Sequence, residues 1–376
     1  MALVTMRLRS APLEDWLRDY YFTAEIDISS SGVHSYSMAE LRALTGLEHA
    51  EIDGLVFDDG YSLGAPAVRS AIARRWGGLE PETVMTTSGS GEAISLVLMA
   101  LLRPGDEVVV VQPGYHLLVE FAAGLGCSVR PWRLTAGTGW RPSLDELSGL
   151  VTEHTRAIII NFPQNPTGTS ITEAELSTLL SLAASVDAYV LSDEAFTDLT
   201  YDSAPLPTVA ARYERGVSFN TFSKAFGLPG LRFGWCIGPP ALLAECVRIR
   251  DYTTLHVSPL VELLALGVLG NAEAFMKPRR ELARANRDAV GDWAAAHPDL
   301  VSLVRPAGGV SAFPRLEGIA DVDAFCDDLF KRRGTLVIPG SCFGAPEHIR
   351  LGFGGRPEPL AEGLGRLTRA LEQARA

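Results

Sequence analysis

From about residue 60 onward, short apolar runs near Val84, Val108, Val129, Ile158, Val190, Val217 and Trp235 alternate with helical stretches such as Glu92 to Leu102 and Glu173 to Ala184. Runs of that length read as buried strands, and a helix between two strands lays the second parallel to the first. The alternation predicts an α/β fold: a large domain with a mostly parallel seven-stranded sheet covered by helices. A helical region follows from about Ala241 to Ala296, and then a glycine-rich break, Pro306-Ala307-Gly308-Gly309, opens a smaller α+β part. The N-terminal arm, with a helix expected over Pro12 to Tyr21, is expected to pack with that smaller part. The expected division is an arm over 1–50, a large domain over 51–280 and a small domain over 281–376.

In a parallel sheet the carboxyl ends of the strands line one crevice, where ligands bind. Three polar turns leave three such strands. The first is Asn161-Phe162-Pro163-Gln164-Asn165-Pro166-Thr167-Gly168, the second Asp193-Glu194-Ala195-Phe196 and the third Thr221-Phe222-Ser223-Lys224, which runs on to Arg232. A lysine so placed suits carbonyl chemistry, and the hydroxyls of Thr221 and Ser223 with Arg232 suit a phosphate. Together they suggest pyridoxal 5'-phosphate. Asp193 can face a pyridine nitrogen and keep it protonated, and Asn165 can donate to the ring's phenolic oxygen. Each motif alone is ordinary; their order and separation carry the signal.

These segments resemble the signature of fold type I pyridoxal-phosphate enzymes of the aspartate aminotransferase superfamily, and the resemblance covers nearly the whole chain. It implies covalent attachment of the cofactor to Lys224, the ring nitrogen on Asp193, the phenolic oxygen near Asn165, and the phosphate on Thr221, Ser223 and Arg232. Thr87-Ser88-Gly89-Ser90-Gly91 is similar to the family's glycine-rich turn, where the amides of Ser90 and Gly91 and the helix dipole hold the phosphate. Tyr115 stands where an aromatic stacks on the ring. Tyr61 matches a tyrosine that reaches the neighbouring subunit's phosphate, which implies a homodimer. Arg350, in His348-Ile349-Arg350-Leu351-Gly352-Phe353, matches the arginine that takes the substrate's α-carboxylate, a task suited to a two-pronged guanidinium. Phe196 departs from the pattern: a tyrosine usual at that position donates to the phenolic oxygen, and phenylalanine cannot.

The segments Leu13 to Phe22 and Ile26 to Val33 are similar to capreomycidine synthases, superfamily members that cyclise a β-hydroxylated arginine in antibiotic pathways. The resemblance implies that Lys224 takes the Cα proton, the β-hydroxyl leaves, a guanidine nitrogen adds at Cβ to close a six-membered ring, and the proton returns to Cα. Arg350 anchors the carboxylate, Ser31 and Gly32 in the Ser29 to Gly32 turn line the side-chain end with Asn165 nearby, and His34 is the candidate acid for hydroxide departure. Two alternatives stand beside this reading. One is an aminotransferase acting on an L-amino acid and a 2-oxo acid. The other is an effector-binding regulator, which lacks support because no basic recognition helix precedes the cofactor fold.

With 47% hydrophobic and 21% charged residues over 376 positions, the chain is ample for a large core. A net charge of −12 without a basic run argues against nucleic acid. Five cysteines without a Cys-x-x-Cys pair and seven scattered histidines give no metal-ligand spacing. An odd cysteine count fits a reducing compartment. No apolar stretch follows the opening Met-Ala-Leu-Val-Thr-Met-Arg, so neither a signal peptide nor a membrane anchor is expected, and the expected location is cytoplasmic.

Overall fold

The computed structural model describes residues 8–375; the opening heptad invoked in the sequence reading lies outside the described residues. All seven apolar runs become strands of one sheet. They are β1 (Val84–Thr87), β2 (Glu107–Gln112), β3 (Ser128–Arg133), β4 (Thr155–Asn161), β5 (Tyr189–Asp193), β6 (Gly216–Thr221) and β7 (Gly234–Ile237). Their order across the sheet is β1-β7-β6-β5-β4-β2-β3. Strand β2 pairs in parallel with both β3 and β4, β4 with β5, and β5 with β6. Strand β7 runs antiparallel to both β6 and β1. Only a short 3-10 turn, Pro229–Leu231, interrupts the loop between β6 and β7. No crossover helix is there to bring the chain back to the other end of the sheet, so β7 returns antiparallel.

The central strands read as unbroken apolar runs because both of their faces are covered. Val108, Val110, Ala157, Ile159 and Leu191 pack on one face with Leu96 and Val97 of the helix Ser90–Leu101. Val109, Val111, Ile158, Ile160 and Val190 pack on the other with Leu176 and Leu179 of the helix Glu173–Ser185. The two sets alternate along each strand, the period of a pleated sheet. Ile159, 1% exposed, would leave a cavity if cut to alanine, at a cost of roughly 2–5 kcal/mol. The helix Glu173–Ser185 starts where a capping box dictates: Thr172 Oγ1 accepts from the Glu175 amide at 3.1 Å, and the Glu175 carboxylate accepts from the Thr172 amide at 2.7 Å.

The helical region after β7 resolves into three helices, Pro240–Arg250, Pro259–Gly270 and Ala272–Ala296. Pro240 and Pro259 each occupy a first-turn position, where a missing N–H costs nothing. Beyond them lies the smaller α+β part. Its three-stranded antiparallel sheet has Ile349–Gly352 between Ser311–Ala312 and Ile338–Pro339, flanked by the helices Val322–Arg333 and Pro357–Arg375. The N-terminal arm joins this part: Ile26–Asp27 pairs with Thr335–Leu336, and the helix Pro12–Tyr20 is tied to it by Trp16 Nε1 donating to the Val337 carbonyl at 3.0 Å and Tyr20 Oη donating to Asp327 at 2.7 Å. Among the described residues no single helix is long and apolar enough to cross a membrane.

Candidate active site

The parallel register sets the site. Asn161 at the end of β4 lies opposite Asp193 at the end of β5, and Asp193 lies opposite Phe219 of β6. The turn after β6 then delivers Ser223 and Lys224 to the same end of the sheet. Asn161 braces its neighbours: its Nδ2 donates to the Asp193 carbonyl at 2.8 Å, and its Oδ1 accepts from the Asn165 amide at 2.9 Å. The result is a cavity of about 500 Å³ whose wall includes Lys224, Asp193, Asn165, Tyr115, Phe196, Ser31 and Arg350.

At one end of this cavity are Ser90, Gly91, Thr221, Ser223 and Arg232. Thr221 Oγ1 and Ser223 Oγ lie 3.0 Å apart, and Arg232 Nη1 donates to Ser223 Oγ at 3.1 Å. Gly89, at φ 83°, caps the helix Ser90–Leu101, and a Cβ there would collide with the Arg232 guanidinium. Hydroxyls, a guanidinium and the amides of a helix N-terminus therefore converge where no side chain intrudes. That donor set fits a phosphate dianion.

In the middle of the cavity, Lys224 Nζ donates to Ser31 Oγ at 2.8 Å. The lysine faces the cavity but lies deep in the molecule, and burial, with Arg350 adding to it, draws its pKa down to about 8. Burial pushes the Asp193 carboxyl up to about 6, against the Ala195 amide that donates to it at 3.1 Å and the nearby Lys224 charge. The amine thus keeps a neutral fraction near neutrality, and the carboxylate stays mostly ionised. Burial also raises the Tyr115 hydroxyl well above its usual range. A lysine for an aldehyde, a carboxylate for a ring nitrogen and a phosphate cradle together fit pyridoxal phosphate.

At the other end, Arg350 is 3% exposed. Its Nε and Nη2 donate to the Ser29 carbonyl at 3.2 and 2.9 Å, and its Nη1 donates to Asn165 Oδ1 at 3.3 Å. All these acceptors are neutral, and among the described residues no carboxylate pairs with it. Asn165 thus accepts from Arg350 through its oxygen, with its amide nitrogen left to serve the cavity. Phe196, 3% exposed, packs against Gly309 and presents no donor.

Of the expected site residues, Gly32 and His34 are not brought to this cavity, and Tyr61 is expected at the neighbouring subunit's phosphate instead. Tyr61 is 64% exposed on the surface. Gly32 and His34 line a second cavity of about 460 Å³, together with Ser30 and Arg356. The backbone between them is pinned by the Val33 amide donating to the Lys224 carbonyl at 3.2 Å, and a Cβ on Gly32 would meet the Ser223 carbonyl. Only Ser31 of this turn faces Lys224. His34 Nε2 accepts from Arg356 Nε at 3.1 Å, and burial with the charges of Arg279 and Arg356 lowers its pKa. It lines this neighbouring cavity and not the one that Lys224 faces, which corrects the expectation that it serves as the acid for hydroxide departure there. The sequence reading missed Leu13, Glu14 and Leu17, which the helix Pro12–Tyr20 contributes to the cavity wall. The helix that carries them was expected; the surface that receives it was not.

Comparison with known proteins agrees with this geometry. The family described as aminotransferase class I and II matches residues 48–367. Capreomycidine synthase of Streptomyces vinaceus is 47% identical over 367 residues, 97% of this chain and 94% of that protein. An arginine–pyruvate transaminase of Pseudomonas aeruginosa is 34% identical over 320 residues, 81% of this chain and 80% of that one. Among solved structures, the PLP-dependent cyclase OrfR superposes with a TM-score of 0.93 at 40% identity, covering 100% of both chains. The chain belongs to the aminotransferase class I and II family and is a pyridoxal-phosphate-dependent enzyme of fold type I.

Proposed function

We propose that the protein cyclises a β-hydroxylated arginine to a six-membered cyclic guanidino amino acid of the capreomycidine type, with loss of water and no amino acceptor. The observation that carries this reading is the 47% identity to a capreomycidine synthase over 97% of the chain. Pyridoxal phosphate, when bound, supplies the electron sink that makes the substrate's Cα proton removable. Lys224, partly neutral because burial brings its pKa to about 8, takes that proton and returns it. Asp193 holds a proton on the ring nitrogen. Arg350, whose charge meets no carboxylate among the described residues, receives the substrate's carboxylate, and Asn165 braces that arginine. Carbon–oxygen cleavage at Cβ and carbon–nitrogen formation at the same carbon balance as the loss of one water.

Finer parts of the reading are proposals of the same kind. Tyr61, with exposed Val56, Phe57 and Tyr252, forms part of a homodimer contact and reaches the partner's phosphate site. Five unpaired cysteines support a cytosolic location, and the product class supports a place in antibiotic biosynthesis. The 34% identity to an arginine–pyruvate transaminase favours the second reading, amino transfer from arginine to a 2-oxo acid. Incubation with 3-hydroxyarginine in deuterium oxide, with and without pyruvate, separates the two. Cyclisation gives a product lighter by one water than the substrate, before counting one deuterium at Cα, and independent of pyruvate. A 2-oxo acid formed only with pyruvate would overturn the cyclase reading.

A further inference from the structure

We infer that Glu14 is the specificity residue that receives the guanidinium of the substrate's side chain. The inference rests on the proposal that the substrate is a guanidino amino acid. Such a substrate carries charge at both ends, and the cavity already offers Arg350 for the carboxylate. Burying a guanidinium without a counter-charge is costly, so an anionic partner is required in the same cavity.

Three carboxylates lie near enough to be considered, and two are committed. Asp193 sits at the sheet end, 7% exposed, accepting from the Ala195 amide at 3.1 Å. Asp27 Oδ1 accepts from the amide and the hydroxyl of Ser29 at 2.7 and 2.6 Å, which locks it into the turn. Glu14 lines the cavity itself. Its one side-chain partner is a 3.4 Å contact from Tyr115 Oη, at the outer limit of a hydrogen bond, and among the described residues no cation pairs with it. Its charge is nevertheless felt at Lys224, Arg350 and Tyr115.

The surroundings suit the rest of an arginine side chain. Leu13 and Leu17, one turn apart on the helix that carries Glu14, line the same cavity and offer apolar wall for the methylene groups. The helix is held at both Trp16 and Tyr20, so the carboxylate is preorganised rather than recruited from a loose arm. An uncharged side chain of the same length, as in citrulline, would leave Glu14 without its counter-charge.

The test titrates the holoenzyme with L-arginine and L-citrulline and follows the cofactor's visible absorbance for the dissociation constants, in the parent, Glu14→Gln and Glu14→Asp. The parent should prefer arginine. Glu14→Gln should weaken arginine binding by about 10- to 100-fold, the loss expected for one charge-assisted contact, while citrulline changes less than about threefold. Glu14→Asp should recover part of the preference. Equal weakening of both ligands, or an unchanged preference in Glu14→Gln, would overturn the role of Glu14. A parent that does not prefer arginine over citrulline would instead overturn the guanidino-substrate reading on which it rests.

Discussion

Lys224 and Ser31, 193 positions apart, meet side chain to side chain, with the amine donating to the hydroxyl at 2.8 Å. Two residues before Ser31, the Ser29 carbonyl accepts from both Nε and Nη2 of Arg350. One short turn therefore gauges the separation between the lysine and the arginine expected to bind the substrate's carboxylate. Ser31→Ala removes one neutral hydrogen bond from the lysine and leaves the turn's backbone intact. We expect kcat to fall by about 2- to 10-fold with KM little changed, read from steady-state kinetics across pH.

Lys224→Ala should lower turnover by about a thousandfold or more, since the proposed reaction assigns it both proton transfers at Cα. Borohydride reduction of the parent holoenzyme should leave the reduced cofactor's mass on the peptide containing Lys224. Recovery of that mass on another lysine would refute the assignment.

Asp193→Asn should separate stability from activity. The folded-state pKa of Asp193 is raised to about 6 from 3.8, so the folded protein binds the extra proton over that window. Its contribution to stability is lost as pH rises from 3.8 to 6, and the full penalty stands above 6. Removing the charge should make the cofactor-free protein more stable at pH 7 by up to about 3 kcal/mol, measured by urea unfolding, with no such gain at pH 3.5. Turnover should fall by roughly two to three orders of magnitude.

Arg350→Lys keeps the charge but loses the planar fork, and with it the contacts to Ser29 and Asn165. KM for the amino acid should rise by roughly 10- to 100-fold, and the absorbance of the bound cofactor in the absence of substrate should change little. A KM within threefold of the parent would remove Arg350 from carboxylate binding.

The sheet was legible in the chain because its strands are covered on both faces and so appear as unbroken apolar runs, as at Ile158 to Ile160. The residues at the strand ends, Asn165, Asp193 and Lys224, were legible for a related reason: in a parallel sheet the position after a strand fixes the side of the crevice. His34 was not. Whether a residue in an irregular turn faces one cavity or the next depends on which amide is pinned, here Val33 to the Lys224 carbonyl, and no periodicity announces that. Glu14 escaped for the opposite reason, since its helix was expected but the surface receiving it depends on Trp16 and Tyr20 reaching Val337 and Asp327, more than 300 residues away.

The Ser29 to Gly32 turn is threaded between glycines: a Cβ on Gly352 would strike Ser30, one on Gly354 would strike Gly32, and one on Gly32 would press on Ser223. Nothing larger fits these seams, and the two segments they join are 321 residues apart at Ser29 and Arg350. During synthesis the sheet and Lys224 emerge while Arg350 is still to be made, so a nascent chain can bring Thr221, Ser223 and Arg232 together long before Arg350 joins them. An earlier and a much later piece of the chain close the site together, which makes residues 28–33 and 350–354 a single exchangeable block: a chimaera with a relative must take both or neither.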